Sequence, residues 1–403
     1  MKVKVSEKIR QKYILHKLKK NNVNVVPADE HDERTITNYH LFRHDDDFHL
    51  FYDKNTFDNQ KLFGKQIYES FLDLHLLTVF ALAPTQSGKT GSMLSAINHF
   101  YNSKENHVPL QNCFIFTTHS STEWLLQTRQ RFPPYFSNNI FHRNQVKSFV
   151  KAVSGKKNCL IIFDESHIAS KQFQTMFRIY NALGFYNSKF MYQNNIKIVH
   201  FTATPKQIIS QANAIWKDTC KTLYMQVPKQ YVSLDYYLKE ERISQAKDLR
   251  NFDNVLEIKD FIDDDTPAFH IIRTSRGKHH IDTIYHFKNA FKHIKATFIS
   301  EPFNKSFNID RDISYKPDIH TFIFIIDKLR CAKTLNLQFV HILYERVSNN
   351  PDDSSIIQGL AGRATGYHSH AKHIHIFSHI DSIRNHNFHD NHNHNFKHNY
   401  FVL

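Results

Sequence analysis

The chain is poor in the residues that cross-link or anchor a protein. Four cysteines (Cys113, Cys159, Cys220 and Cys331) lie far apart with no CxxC pair. That excludes a disulfide framework and indicates reduced thiols of an intracellular, cytoplasmic protein. Long apolar runs are missing too. "LLTVFALA", residues 76–83, is far too short to span a bilayer, so no membrane partner is expected. The first twenty residues, "MKVKVSEKIRQKYILHKLKK", are charged throughout and leave no apolar core for a secretory signal. Glycine and proline are scarce, at 9 and 11 among 403 residues, while 41% of the chain is hydrophobic and 14% aromatic, which is a globular composition. Acidic residues are also in short supply: 38 Asp+Glu face 52 Lys+Arg, a net charge of +14. Such an excess suits a polyanionic partner, of which nucleic acid is the commonest.

What is present is an alternation. The length allows two to three domains. Residues 1–55 show no clean period; eight Lys/Arg and one acid fill the first twenty positions before "ADEHDER" and "RHDDDFH" reverse the sign. This is an N-terminal extension of mixed charge. From residue 56 helical and strand patterns alternate. "KQIYESFLDLH" is an amphipathic helix, "LLTVFALAP" a strand and "TGSMLSAINHFYN" a helix. "CFIFTT", "CLIIFDE" and "KIVHFTATP" are further strands, with "STEWLLQTRQRF" a helix between the first two. A polar, tyrosine-rich stretch follows. The alternation then resumes in "AFHIIRT", "IDTIYHFKNAFKHI", "ATFIS", "TFIFIID", "FVHILYE" and "HIHIFSH". Continuous β-branched and aromatic runs are strands buried on both faces, and their alternation with helices predicts α/β domains with parallel sheets and crossover helices. The expected boundaries are 56–235 and 236–385, with an Asn/His-rich tail over 386–403 of low complexity.

Two local patterns carry chemistry. "APTQSGKT", Ala83 to Thr90, follows a strand and opens a helix. In such a phosphate loop the backbone N–H groups from Thr85 through Gln86, Ser87, Gly88 and Lys89 to Thr90 curl around a β-phosphate, with Pro84 at its entry. Gly88 permits close approach, Lys89 reaches the β- and γ-phosphates, and the Thr90 hydroxyl ligates Mg²⁺. The second pattern is "LIIFDESH", a buried strand running into Asp164 and Glu165, with His167 two places on. A carboxylate pair is costly to desolvate without a cation or a reaction to use it. Beside a phosphate loop, Asp164 serves the metal and Glu165 orients and deprotonates the attacking water. The cofactors expected are therefore ATP and Mg²⁺. Farther on, the hydroxyls of Thr202 and Thr204 in "FTATP" are placed to bond His167 and link the nucleotide site to movement. Arg363 in "QGLAGRATGY" is placed to reach across a cleft to the γ-phosphate.

The order P-loop, DESH, TAT, QxxxGR over two α/β halves resembles superfamily 2 helicases and translocases of the DExH type. The likeness covers about residues 57–385. It implies two RecA-like domains, each a mostly parallel sheet with crossover helices, and an ATP site in the cleft between them. It also implies an ATP hydrolase that moves along nucleic acid. "TTHSSTEWLLQT", "DESHIASK" and "LRCAKTL" are similar to stretches in helicases of phages and large DNA viruses, so DNA is the expected track. By the same resemblance Thr117, Thr118, Ser120 and Trp124 contact the nucleic-acid backbone, as do Arg273 and Thr274 in "HIIRT". Gln66 reads the adenine, and Gln358 belongs to the nucleotide site. The chain departs from the family where Gly366 or Tyr367 stands in place of a second arginine, for which Arg330 in "IIDKLRCAKTL" is a substitute. Three alternatives stay open. One is an RNA helicase. Another is a binding or remodelling subunit without productive hydrolysis, and the third is a motor that relies on a protein partner for targeting. Ten histidines follow Tyr367. With no cysteine partner and asparagine filling the spacing, a flexible polar tail is the expected reading over a structural zinc.

Overall fold

The computed structural model describes residues 48, 51–118, 120, 122–165, 175–204, 217–304, 306–326, 328–329, 335–348 and 353–386. Most of the N-terminal extension and the tail after residue 386 lie outside them. The chain divides into two compact units, Met1–His49 and Leu50–Leu403. The second holds two six-stranded sheets.

In the first sheet the strands are β1 (Thr78–Leu82), β2 (Cys113–Thr117), β3 (Ile140–His142), β4 (Cys159–Asp164), β5 (Ile196–Thr202) and β6 (Cys220–Tyr224). Their spatial order is β3-β2-β4-β5-β1-β6 and all pairings are parallel. The second sheet contains β7 (Ile243–Gln245), β8 (Phe269–Arg273), β9 (Ala296–Ser300), β10 (His320–Ile325), β11 (Val340–Tyr344) and β12 (His375–Ser378). These strands lie in the order β7-β12-β11-β8-β10-β9, again parallel throughout. The chain is thus α/β with two parallel sheets and crossover helices. We call the two sheets with their helices the first and second lobes.

Central strands are buried end to end, as sheets covered on both faces require. One face of the second sheet packs Ile271, Ile323 and Leu343, and the opposite face packs Ile272, Phe322 and Phe324 against Phe287 and Phe291. In the first lobe a column of rings fills the core. His200 of β5 stacks between Phe80 (5.0 Å, 11°) and Phe163 (5.4 Å, 18°), and its Nε2 pairs with the Tyr180 hydroxyl at 2.8 Å.

Burial pushes the His200 imidazole down to about 3. The folded ring therefore stays neutral at pH 5 while the unfolded one, with its ordinary value near 6.5, takes up a proton. The unfolded state binds more protons below pH 6.5, so stability is lost as pH falls through that value. At pH 5 the loss from this one group approaches about 2 kcal/mol. Replacing it with Asn removes the titration. The stability difference between pH 7 and pH 5 should then shrink by about that amount relative to the parent, measured by urea unfolding. Every other titrating group cancels in the comparison.

Candidate nucleotide-binding site

Helix α1 (Asp58–Ser70) precedes β1, and α2 (Lys89–Asn102) follows the loop that β1 runs into. The buried stripe of α1 is Gln60, Phe63, Gly64 and Ile67. Gly64 is indispensable to the packing: a Cβ there would fall 2.3 Å from Ser95 Oγ of α2. That close approach places Gln60, one turn earlier, directly over the phosphate loop. A Cβ on Gly88 would meet Gln60 Nε2 at 1.9 Å, and one on Gly91 would meet its Oε1 at 1.9 Å. The Gln60 Oε1 also accepts from the Phe57 amide (3.2 Å) and fixes the helix start. The helix therefore begins seven residues before the expected "KQIYESFLDLH". Gln66 is off the buried stripe and does not line the cleft, whereas Gln60 does.

The loop itself is strained in the way a phosphate cradle is. Gln86 has φ of 58° and Gly88 of 99°, both left-handed. Ser87 Oγ donates to the Pro84 carbonyl at 2.8 Å. Lys89 Nζ lies 3.5 Å from Glu165 Oε1, both side chains largely buried. Glu165 follows β4 with φ of 52°, a left-handed turn that a non-glycine residue adopts only where its surroundings impose it. The Thr118 hydroxyl donates to its carbonyl. Asp164 is held at both oxygens: the Glu165 amide donates to Oδ1 (3.0 Å) and the Trp124 indole Nε1 donates to Oδ2 (2.9 Å). Burial, and then the neighbouring Glu165, push the Asp164 carboxyl up to about 7, against the pull of Lys89 and of the two hydrogen bonds. Two buried carboxylates facing one lysine, with the Thr90 hydroxyl lining the same cleft, are a donor set that suits a hard divalent cation. Such a cation would hold Asp164 ionised. Among the described residues no group of three or more His, Cys, Asp or Glu side chains is arranged as a metal site by itself.

The second lobe closes the cleft. Its segment after β11 runs through the short helices α3 (Asp353–Gln358) and α4 (Leu360–Arg363). Gly362 is tightly enclosed, since a Cβ there would strike the Ile357 carbonyl at 2.0 Å. Arg363 is buried and lines the cavity, which has a volume of about 560 Å³, together with Lys89, Thr90, Asp164, Glu165 and Gln358. Gln358 donates to Thr204 Oγ1 (3.3 Å), and the Thr204 amide in turn donates to Thr202 Oγ1 (3.1 Å). Thr202 and Thr204 are therefore connected across the cleft to the second lobe. The lobes also meet at the phosphate loop. Thr365 Oγ1 donates to the Thr85 carbonyl (2.9 Å), and Tyr367 donates to the Ser87 carbonyl (3.2 Å).

Several expected site residues have other placements. Thr117, Thr118 and Trp124 are buried, and they hold the backbone or carboxylate of Asp164 and Glu165 in place of facing outward. Only Ser120 of that group is exposed. Arg273 is buried in an ion pair with Glu345 (3.2 Å) and donates to the Leu329 carbonyl (2.7 Å). Thr274 pairs with the His280 ring. Both nonetheless border a hollow of about 390 Å³ at the C-terminal ends of β8 and β11, whose rim carries Lys247, Arg250, His279 and Arg346. His167 and Arg330 lie outside the described residues.

No family model matches the chain. It is similar to an uncharacterised protein of Acanthamoeba polyphaga mimivirus, 26% identical over 329 residues, which cover 75% of this chain and 80% of that one. Among solved structures it is similar to S. cerevisiae Dbp5 bound to RNA and ADP BeF3, with a TM-score of 0.46 and 15% identity over 83% of this chain and 93% of that one. The DEAD-box helicase Mss116 bound to ssRNA and UDP-BeF gives a TM-score of 0.49 and 18% identity, covering 79% and 70% of the two chains. The E. coli DExH-box NTPase HrpB gives 0.46 and 11%, covering 80% of this chain and 42% of its own.

Proposed function

We propose that the protein is a nucleic-acid-dependent ATPase, a helicase or translocase of superfamily 2. The observation that carries this reading is the cleft: Lys89 and Glu165 paired at 3.5 Å on one lobe and a buried Arg363 on the other. The phosphate loop cradles the triphosphate with backbone N–H groups while Lys89 neutralises its β- and γ-oxygens. Thr90 and Asp164 are the residues that would hold Mg²⁺, which would supply charge neutralisation at the phosphates. Glu165, with its backbone locked by Thr118, orients the attacking water and takes its proton. Arg363 meets the charge that develops on the γ-phosphate. Gln60, wedged against Gly88 and Gly91, is the candidate reader of the base. Because the Thr204–Gln358 and Thr85–Thr365 contacts join the lobes beside the phosphates, turnover and lobe separation are coupled.

A nucleic-acid strand is the proposed track, gripped in part at the hollow bordered by Lys247, Arg250 and Arg346, of which Lys247 pairs with Glu257 and Arg250 with Asp248. DNA is the preferred polymer on the resemblance of the motif details to helicases of phages and large DNA viruses. The net charge of +14 is consistent with either nucleic acid. The test is steady-state ATP turnover, alone and with single-stranded DNA, duplex DNA or RNA, at two salt concentrations. One polymer should raise turnover at least about tenfold, and the stimulation should weaken with salt as phosphate contacts release counterions. Nucleic-acid binding with no turnover on any polymer would instead favour the binding-subunit reading.

A further inference from the structure

The second arginine that the family pattern would supply has no room at its expected place. Gly366 occupies it with φ of 121°, and a Cβ there would come within 3.2 Å of Gln86 Cβ. Tyr367, next in line, donates its hydroxyl to the phosphate loop. The segment is a docking contact between the lobes, so any further phosphate-directed cation in the cleft is a different residue. The cleft contains one. Arg131, just past the first-lobe helix Thr122–Gln130, lines the same cavity as Lys89 and Arg363 and is exposed to solvent at its mouth. Its Nη1 lies 3.4 Å from Thr90 Oγ1, and it lies in the field of Asp164.

We propose that Arg131 is a phosphate-binding residue acting in cis from the first lobe, and that it contacts the terminal phosphate on the side opposite Arg363. This rests on the nucleotide-site reading above. The guanidinium donates to the Thr90 hydroxyl at the end of the phosphate loop. Lys89, Thr90 and Arg131 line one cavity, so a triphosphate cradled by the loop would present its terminal phosphate to this guanidinium. A planar fork of N–H donors suits that partner better than a lysine would.

The experiment is equilibrium binding of a fluorescent non-hydrolysable ATP analogue and of fluorescent ADP, both with Mg²⁺, to the full chain and its Arg131→Gln variant. The variant should lose about tenfold in affinity for the triphosphate and less than about threefold for the diphosphate. An unchanged triphosphate affinity, or equal losses for both nucleotides, would overturn the proposal. Thermal melting without nucleotide accompanies the measurement, and Arg131→Ala is read the same way should the glutamine variant fail to fold. If the parent protein binds neither nucleotide, the nucleotide-site reading fails first, and the two failures are told apart.

Discussion

Glu165→Gln should still bind ATP, within about threefold of the parent, and turn it over at least about a hundredfold more slowly. The side chain keeps its shape but loses its charge, and with it the ion pair to Lys89 and the ability to take a proton. Two alternative causes of a slow variant can be set aside from the geometry. The backbone of residue 165 is held by the Thr118 hydroxyl through its carbonyl, which the substitution leaves intact. Nor would Asp164 be disabled as a metal ligand. The charge of Glu165 is one of the causes that hold the Asp164 carboxyl up, so its removal lets that group ionise more readily. Asp164 stays in place under its Trp124 and backbone hydrogen bonds, so nucleotide with Mg²⁺ should still bind in the variant, and the slow step is the proton transfer. Single-turnover hydrolysis beside a nucleotide-binding titration separates the two. An unchanged rate would remove Glu165 as the base. Weakened binding with a normal single-turnover rate would make the Lys89–Glu165 pair a structural support of the loop.

Every strand that the sequence hides lies at a sheet edge, and of those it announces all but β9 ("ATFIS") are central. β1, β2, β4, β5, β8, β10 and β11 are central, buried on both faces, and appear as unbroken apolar runs such as "CLIIFD". The three that escape the alternation reading are β3 ("IFH"), β6 ("CKTLY") and β7 ("ISQ"), and each lies at a sheet edge. An edge strand has a neighbour on one side only and less of its surface to cover, so it can be short or carry polar residues and still pair. The site divides in the same manner. The phosphate loop and the acid pair are legible because their chemistry is local, a few consecutive residues at a strand end. Gln60 is not, because its role depends on the phase of α1. The buried positions 60, 63, 64 and 67 set that phase, and Gln66 lies outside it. A helix start drawn seven residues too late hides the pattern. Trp124 and Tyr367 are harder still. The indole finds Asp164 across 40 positions and the phenol finds Ser87 across 280, distances over which a sequence carries no register.

Arg363→Ala should lower turnover by about a thousandfold or more while changing nucleotide affinity by less than about tenfold. The expected split follows from how the residue is mounted. Arg363 belongs to the second lobe, whereas the phosphate loop that supplies most of the binding contacts belongs to the first. Binding is therefore dominated by groups the substitution does not touch. The transition state, in which charge grows on the γ-phosphate, depends on the buried guanidinium from the other side. The mounting is rigid. The Tyr237 hydroxyl donates to the Ala364 carbonyl (2.8 Å), and the single Thr365 hydroxyl proton is shared between the Gly362 carbonyl (2.8 Å) and, across the cleft, the Thr85 carbonyl (2.9 Å). Residues flanking Arg363 are thus pinned to both lobes, so truncating the side chain should leave the segment in place. Equal losses in affinity and turnover would mean that the arginine holds the lobes together, and small-angle scattering of the variant would then show them further apart. A loss confined to turnover, with scattering unchanged, identifies Arg363 as the group that reaches the reacting phosphate.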